Sequence, residues 1–291
     1  MASTGSTQLN LGLGLEHTHV LVTGGAGLIG SKVVHFFLEA GARVSCVDLS
    51  SSIPLDLKEY VESNDRNLLF LGNIDITKDI NEAFTRAEKA FGPVQCCVGM
   101  ASLDLSVLSH TESLADAKPE DWQRILNVNI NGTFMTCQRW LQGLRNALTN
   151  GKSDLENVNL VIMGSVSGRL GERFNAAYAA SKSAVQYGLM YSLAEDAPRI
   201  YPGARVNAVA PGAVDTPRYR DEQQRYGEDF HWKECEATVP LKRAVSMEDV
   251  ARAIVVLASE RWSGSINRQL VAIDNGKMGT LCWTKEEIAN S

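Results

Sequence analysis

The sequence holds 291 residues, 44% hydrophobic and 21% charged, with a formal net charge of -6, enough chain for one large α/β domain that folds without disulfide or metal. An acidic surface with no Lys/Arg-rich run speaks against a nucleic-acid partner, and no stretch approaches the ~18 uncharged apolar residues of a membrane span. The six cysteines form no CxxC pair and several sit inside apolar runs, which fits packing roles in a reducing compartment, so no metal site and a cytoplasmic location are expected.

Residues 1–16, MASTGSTQLNLGLGLE, lack the basic start and continuous apolar core of a signal peptide and are expected to be a flexible leader. Residues 17–291 are expected to form one Rossmann-like domain. Val20–Thr23 is a short apolar run that ends in glycines, and Ser31–Ala40 reads as a helix closed by Gly41. Arg43–Asp48 and Leu68–Leu71 are the next strands, Asp79–Phe91 a helix, and Val94–Val98 a fourth strand. Glu120–Asn146 reads as one long helix entered through Pro119, a favoured first helical residue. Val158–Met163 is a fifth strand, Tyr178–Ala194 a helix, and Arg205–Val209 a sixth strand. Ser246 starts a further helix with Asp249 three residues on, an acidic variant of the capping box, and Gln269–Ile273 is the last strand. Strands alternating with helices predict a doubly wound parallel sheet with helices on both faces. Between Ala213 and Val245 the alternation stops and Arg218, Tyr219, Arg220, Tyr226, Phe230, His231 and Trp232 mix charge with aromatic surface, so a substrate lid is expected there.

The first strand runs into Thr23-Gly24-Gly25-Ala26-Gly27-Leu28-Ile29-Gly30 and then a helix. Gly25, Gly27 and Gly30 satisfy G-x-G-x-x-G, which lets backbone N–H groups approach a pyrophosphate at the positive end of the helix; a plain structural turn is the other reading. Asp48 ends the second strand 18 residues beyond Gly30, near the ~20-residue offset at which a carboxylate meets the ribose hydroxyls of NAD and repels the 2′-phosphate of NADP. Tyr178 and Lys182 lie one helical turn apart, and Ser165 stands 13 residues before Tyr178, just past the fifth strand. That is the carboxyl end, where open parallel sheets bind ligands. A tyrosine with pKa ~10 is a poor base at neutral pH, and a neighbouring ammonium is expected to bring it toward the working range.

With these residues in place the sequence resembles the short-chain dehydrogenase/reductase family over roughly residues 18–276. The resemblance implies NAD as cofactor, an alcohol or ketone as substrate, Tyr178 as general acid/base, Ser165 on the substrate oxygen, and Lys182 on the phenol and the nicotinamide ribose. Asn129, in the V-N-x-x-G frame of Asn127–Gly132, corresponds to the asparagine that anchors a water relay to the lysine. Pro211-Gly212-Ala213-Val214-Asp215-Thr216 resembles the loop whose Val214 backbone and Thr216 hydroxyl meet the nicotinamide carboxamide and phosphate, while Asp75 and Ile76 resemble the adenine-contacting pair. Two departures stand out. The glycine spacing T-G-x-x-G-x-x-G, with Leu28 at a usual glycine position, resembles the extended branch of the family, although chain length favours the single-domain one. The usual N-N-A-G after the fourth strand is Gly99-Met100-Ala101-Ser102, which leaves Ala101 as the adenosine-side contact. A same-fold epimerase or dehydratase and a non-catalytic nucleotide sensor are the alternatives. A homodimer or homotetramer is expected, because Phe134, Met135, Trp140, Leu141, Leu144, Val185, Leu189, Met190 and Leu193 make two helices apolar on more than one face.

Overall fold

The computed structural model describes residues 10–107 and 113–283. Seven strands, β1 (His19–Thr23), β2 (Arg43–Val47), β3 (Leu68–Leu71), β4 (Cys96–Gly99), β5 (Asn159–Met163), β6 (Arg205–Pro211) and β7 (Leu270–Ile273), form one parallel sheet in the order β3-β2-β1-β4-β5-β6-β7. The order reverses between β1 and β4, where Thr23 pairs with Gly99. A doubly wound sheet opens a crevice at that point, outside the carboxyl ends of its strands.

Both faces of the sheet are covered, so the strands are apolar throughout instead of alternating. In β1, Leu21 packs into a core with Phe84, Trp140 and Leu144, while Val20 and Val22 face Val33, Phe37, Val250 and Ile254 on the other side. Helices α1 (Leu28–Glu39) and α2 (Leu55–Glu62) follow β1 and β2, and α3 (Ile80–Phe91) follows β3. The short helix α2 went unseen in the sequence because Leu57 is its one buried residue and gives no apolar stripe.

The stretch expected as one helix from Glu120 is α4 (Pro119–Leu126), a π-helical turn (Asn127–Gly132) and α5 (Thr133–Thr149). The helix expected from Tyr178 is likewise α7 (Ala176–Ser183), a π turn (Ala184–Leu189) and α8 (Met190–Ile200), preceded by the short α6 (Ser167–Leu170). Such turns cluster at functional sites, and each lies beside a candidate residue. The expected lid holds α9 (Pro217–Tyr226), α10 (Glu228–His231) and a third π turn (Trp232–Glu236). It leaves and returns through one parallel bridge between Val214 and Val245. Helices α11 (Met247–Ala258) and α12 (Glu260–Ser263) lead into β7, with the Ser246 hydroxyl capping α11 through the Asp249 N–H at 3.0 Å.

The flexible leader is corrected in part. From Gly12 onward the chain is anchored: the Gly12 carbonyl accepts from Arg261 and Trp262, Asn157 donates to the Gly14 carbonyl at 2.7 Å, and Leu15 is fully buried. Residues 1–9 lie outside the described residues, as do residues 284–291 of the expected domain. The two-faced apolar helices are also corrected. Trp140, Leu141, Leu144, Val185, Met190 and Leu193 are buried by this chain's own sheet and helices, Met135 and Leu189 pack partly against that core, and of the nine residues Phe134 is the exposed one.

Candidate active site

The glycine turn lies at the crevice. Gly24 adopts φ +70°, and a Cβ there would come within 2.8 Å of the Ala101 backbone, so the β1 and β4 loops meet without side chains between them. A Cβ on Gly30 would strike the Gly24 carbonyl, so glycine there lets α1 sit against the turn. Gly27 caps α1 with no side-chain bond, no acidic residue occupies the first turn, and the Leu28 side chain points largely to solvent while Ile29 packs inward. The result is a set of backbone N–H groups at the positive end of a 12-residue helix, which suits a dinucleotide phosphate. Asp48 closes the far side: its carboxylate accepts from the Ala26 N–H at 2.9 Å and the Ser50 N–H at 2.8 Å. Each oxygen retains a lone pair for a ribose hydroxyl.

Around this turn, the Thr23 hydroxyl accepts from the Met100 and Ala101 N–H groups and fixes the loop after β4. Asp75 turns its carboxylate onto its own loop, accepting from the Thr77 N–H at 2.9 Å and the Thr77 hydroxyl at 2.7 Å, and these bonds hold it below the usual carboxylate range. Ile76 is buried against the π turn, where a Cβ on Gly132 would reach its Cδ1 at 2.5 Å. In the loop after β6, Gly212 donates to the Ile273 carbonyl, and the Pro211 carbonyl accepts from the Val166 N–H. Thr216 caps α9 by accepting from the Tyr219 N–H at 3.1 Å, which leaves its hydroxyl proton available to an acceptor such as a phosphate oxygen.

Ser165, Tyr178 and Lys182 converge just beyond the carboxyl ends of β5 and β6. Ser165 is buried, its hydroxyl accepts from the Ser167 N–H at 3.1 Å, and it lies close enough to the Tyr178 phenol to act on it. Lys182, 3% exposed, donates to the Met163 carbonyl at 3.0 Å and stands 5.7 Å from the centre of the Tyr178 ring. Burial brings its ammonium down to about 8. Burial likewise pushes the Tyr178 phenol up to about 12; the Ser165 hydroxyl and the Arg218 guanidinium pull it down, and the Asp104 and Glu172 carboxylates push it further up. The expectation that a nearby ammonium lowers this tyrosine is therefore reversed in the free chain. Removing a phenolate from water costs more here than the surrounding donors return.

Asn129 sits in the first π turn, 1% exposed, and its amide is fully engaged. It accepts from the Leu103 N–H at 2.7 Å and donates to the Leu103 carbonyl at 2.9 Å and the Ser181 hydroxyl at 3.1 Å. The side chain clamps the loop after β4 onto the helix that carries Tyr178, so a water relay to Lys182 would start from its backbone.

Two acidic residues of the site were not singled out in the sequence. Asp104, in the loop after β4, pairs with Arg218 at the start of α9. Glu172, after α6, accepts from the Ser167 hydroxyl at 2.8 Å and is pushed up by burial. Both had a weak signal, since each falls in a loop that follows a strand or helix at the carboxyl end of the sheet.

A family model described as enoyl-(acyl carrier protein) reductase matches residues 25–277. The chain is 27% identical over 264 residues to acetoacetyl-CoA reductase of Synechocystis sp., covering 91% of this chain and 98% of the relative. It is 30% identical over 268 residues to 2-(S)-hydroxypropyl-CoM dehydrogenase 3 of Xanthobacter autotrophicus, covering 90% and 97%. The crystal structure of gox2181 superposes with a TM-score of 0.77 at 26% identity, covering 91% of this chain and 96% of that one.

Proposed function

Because the chain belongs to the short-chain dehydrogenase/reductase family of oxidoreductases, we propose that it moves hydride between NAD(H) and a secondary alcohol or ketone, with Tyr178 handling the proton. The observation that carries this reading is the convergence of Ser165, Tyr178 and the buried Lys182 ammonium, 5.7 Å from the centre of the Tyr178 ring. The nicotinamide cofactor supplies or accepts the hydride when bound. The chain's own residues do the rest. In reduction the Tyr178 phenol gives its proton to the substrate oxygen; in oxidation the phenolate takes the hydroxyl proton. Ser165 donates to that oxygen and stabilises the charge it gains. Lys182, charged at neutral pH, offsets the charge left on Tyr178 and reaches the nicotinamide ribose. Asp48 favours NAD, since a carboxylate there accepts from ribose hydroxyls and repels a 2′-phosphate.

The substrate class is read from charge. Asp104, Glu172 and Arg218 act on Tyr178, and Glu222 feels the Arg218 and Arg225 cations as well as Asp104 and Glu234, while Arg218 and Lys277 are paired with Asp104 and Glu234. These charge pairs favour a neutral polyol, sugar or small ketone over an anion such as an acyl thioester of CoA, the class for which the Synechocystis relative is named. A symmetric dimer or tetramer in the cytoplasm completes the proposal. Its support is the apolar surface of Trp122, Phe134 and Leu148 on α4 and α5, together with the five buried free thiols.

The test is Tyr178→Phe, which keeps the ring and removes the transferable proton. The rate of NADH oxidation with a ketone panel should fall ~10²–10⁴-fold while NADH still binds. A phenylalanine variant with wild-type kcat would remove the tyrosine from the mechanism. Faster turnover of an acyl-CoA than of neutral ketones would overturn the substrate class alone.

A further inference from the structure

One helix carries more than Tyr178 and Lys182. Gln186 lies four residues beyond Lys182, in the π turn Ala184–Leu189, and is fully buried. Its Oε1 accepts the Ser165 N–H at 2.8 Å. Only a carbonyl oxygen can meet an N–H, so the amide has one possible orientation here. Its Nε2 then finds no hydrogen-bond partner among the described residues. The chain around it is cut to fit. A Cβ on Gly164 would collide with Gln186 Oε1, and a Cβ on Gly168 would stand 2.7 Å from its Nε2. The turn that presents Ser165 is therefore wrapped around this one side chain.

A buried amide with both its donors unmet is unfavourable in a core, where an apolar residue of similar volume avoids the penalty. Stability alone does not account for glutamine at this place. The bond to Ser165 does.

We propose that Gln186 is a positioning residue: it locks the turn after β5 so that the Ser165 hydroxyl faces Tyr178. This rests on the reading of Ser165 and Tyr178 as reacting groups. It makes one helix the frame for the whole site, with the proton donor, the cation and the serine's anchor on successive turns. Gln186 itself touches neither substrate nor cofactor and acts through the serine.

The test is a double-mutant cycle on the full-length enzyme, with kcat for ketone reduction and NADH Kd as readouts. Gln186→Met keeps the volume and removes the acceptor, and kcat should fall by up to ~10²-fold, as a misplaced reacting group does. NADH Kd should stay within about twofold, because the change acts through Ser165, which bonds the reacting oxygen and not the cofactor. Gln186→Glu keeps an acceptor oxygen in the same place and should restore most of the lost rate. In a Ser165→Ala background, Gln186→Met should cause no further loss of kcat, because the group it positions is gone. Should the methionine variant fail to fold, Gln186→Asn, which withdraws the same oxygen by one methylene, takes its place with the same expected and overturning results. Wild-type kcat in Gln186→Met, equal losses in the Met and Glu variants, or a loss that adds in full to Ser165→Ala would each overturn the inference. If Ser165→Ala is itself as fast as wild type, the catalytic reading of the serine fails and takes this inference with it. If Ser165→Ala is slow while Gln186→Met is normal, the catalytic reading stands and only the positioning role fails.

Discussion

At the residue scale, burial sets the charge states on which the chemistry depends. A phenol pushed to about 12 stays protonated across neutral pH, and an ammonium brought to about 8 stays charged below that value. Reduction needs both protons in place, so its rate should hold to about pH 8 and fall above it, while oxidation, which needs the phenolate, should have the more alkaline optimum. Rate profiles measured in both directions check this, and Lys182→Arg should move the alkaline fall in reduction upward. His19 gives a separate prediction. It is buried between the Gly92 carbonyl, 2.8 Å from Nδ1, and the Ser45 hydroxyl, 2.9 Å from Nε2, and burial brings it down to about 4 from 6.5. A folded value below the unfolded one means its contribution is complete above pH 6.5 and is lost as pH falls toward 4. There the unfolded chain takes up a proton that the native ring refuses. Stability to urea should drop by about 1.4 kcal/mol per pH unit within that window from this group. The slope should flatten in His19→Asn.

Elements in this fold are finished by partners from elsewhere in the chain. Helix α11 has no basic residue in its last turn, yet its terminal carbonyls are not left bare. Arg205, from β6, donates to Leu257 at 3.1 Å and Ala258 at 3.3 Å, and also to the Ser263 carbonyl at 2.9 Å. A guanidinium at a helix C-terminus answers both the orphan carbonyls and the negative end of the dipole. Arg205→Met should therefore cost about 3 kcal/mol or more, since several buried acceptors lose their donor. Chemical denaturation should show that loss with kcat per folded molecule little changed. In the β1–α1–β2 unit, Asp48 ties the glycine turn to the second strand through the Ala26 N–H. Asp48→Asn should keep a backbone acceptor but lose the charge that repels a 2′-phosphate. Fluorescence titration should show wild type preferring NADH and the variant losing most of that preference; an NADPH preference in wild type would sink the ribose assignment.

For the molecule as a whole, a doubly wound sheet offers ligands the rim at the carboxyl ends of its strands, and the candidate residues lie along it. The segment of α9 and α10 reaches that rim through the Asp104–Arg218 pair, which joins the loop after β4 to α9. Light scattering at micromolar concentration should give a dimer or tetramer, and Phe134→Glu should shift it toward monomer, because Phe134 is 47% exposed on α5. A stable wild-type monomer would remove the oligomer from the proposal.

The order of the strands and of the main helices between them, the glycine turn, Asp48 and the Ser165, Tyr178 and Lys182 spacing were legible along the chain. Each is a local signal, set by backbone sterics, side-chain periodicity or a fixed offset on one helix. Long helices misled at Asn127–Gly132 and Ala184–Leu189, because a π turn leaves the apolar pattern almost unchanged. Which apolar residues face outward was also out of reach: Trp140 and Phe134 look alike in sequence, and only packing buries the first and leaves the second exposed. Asp104 meets Arg218 from 114 residues away and Gln186 meets Ser165 from 21, distances that periodicity does not span. The direction of the Tyr178 shift belongs to the same class. A neighbour's charge can be read from spacing, but the loss of water around a phenol exists only once the chain has closed over it.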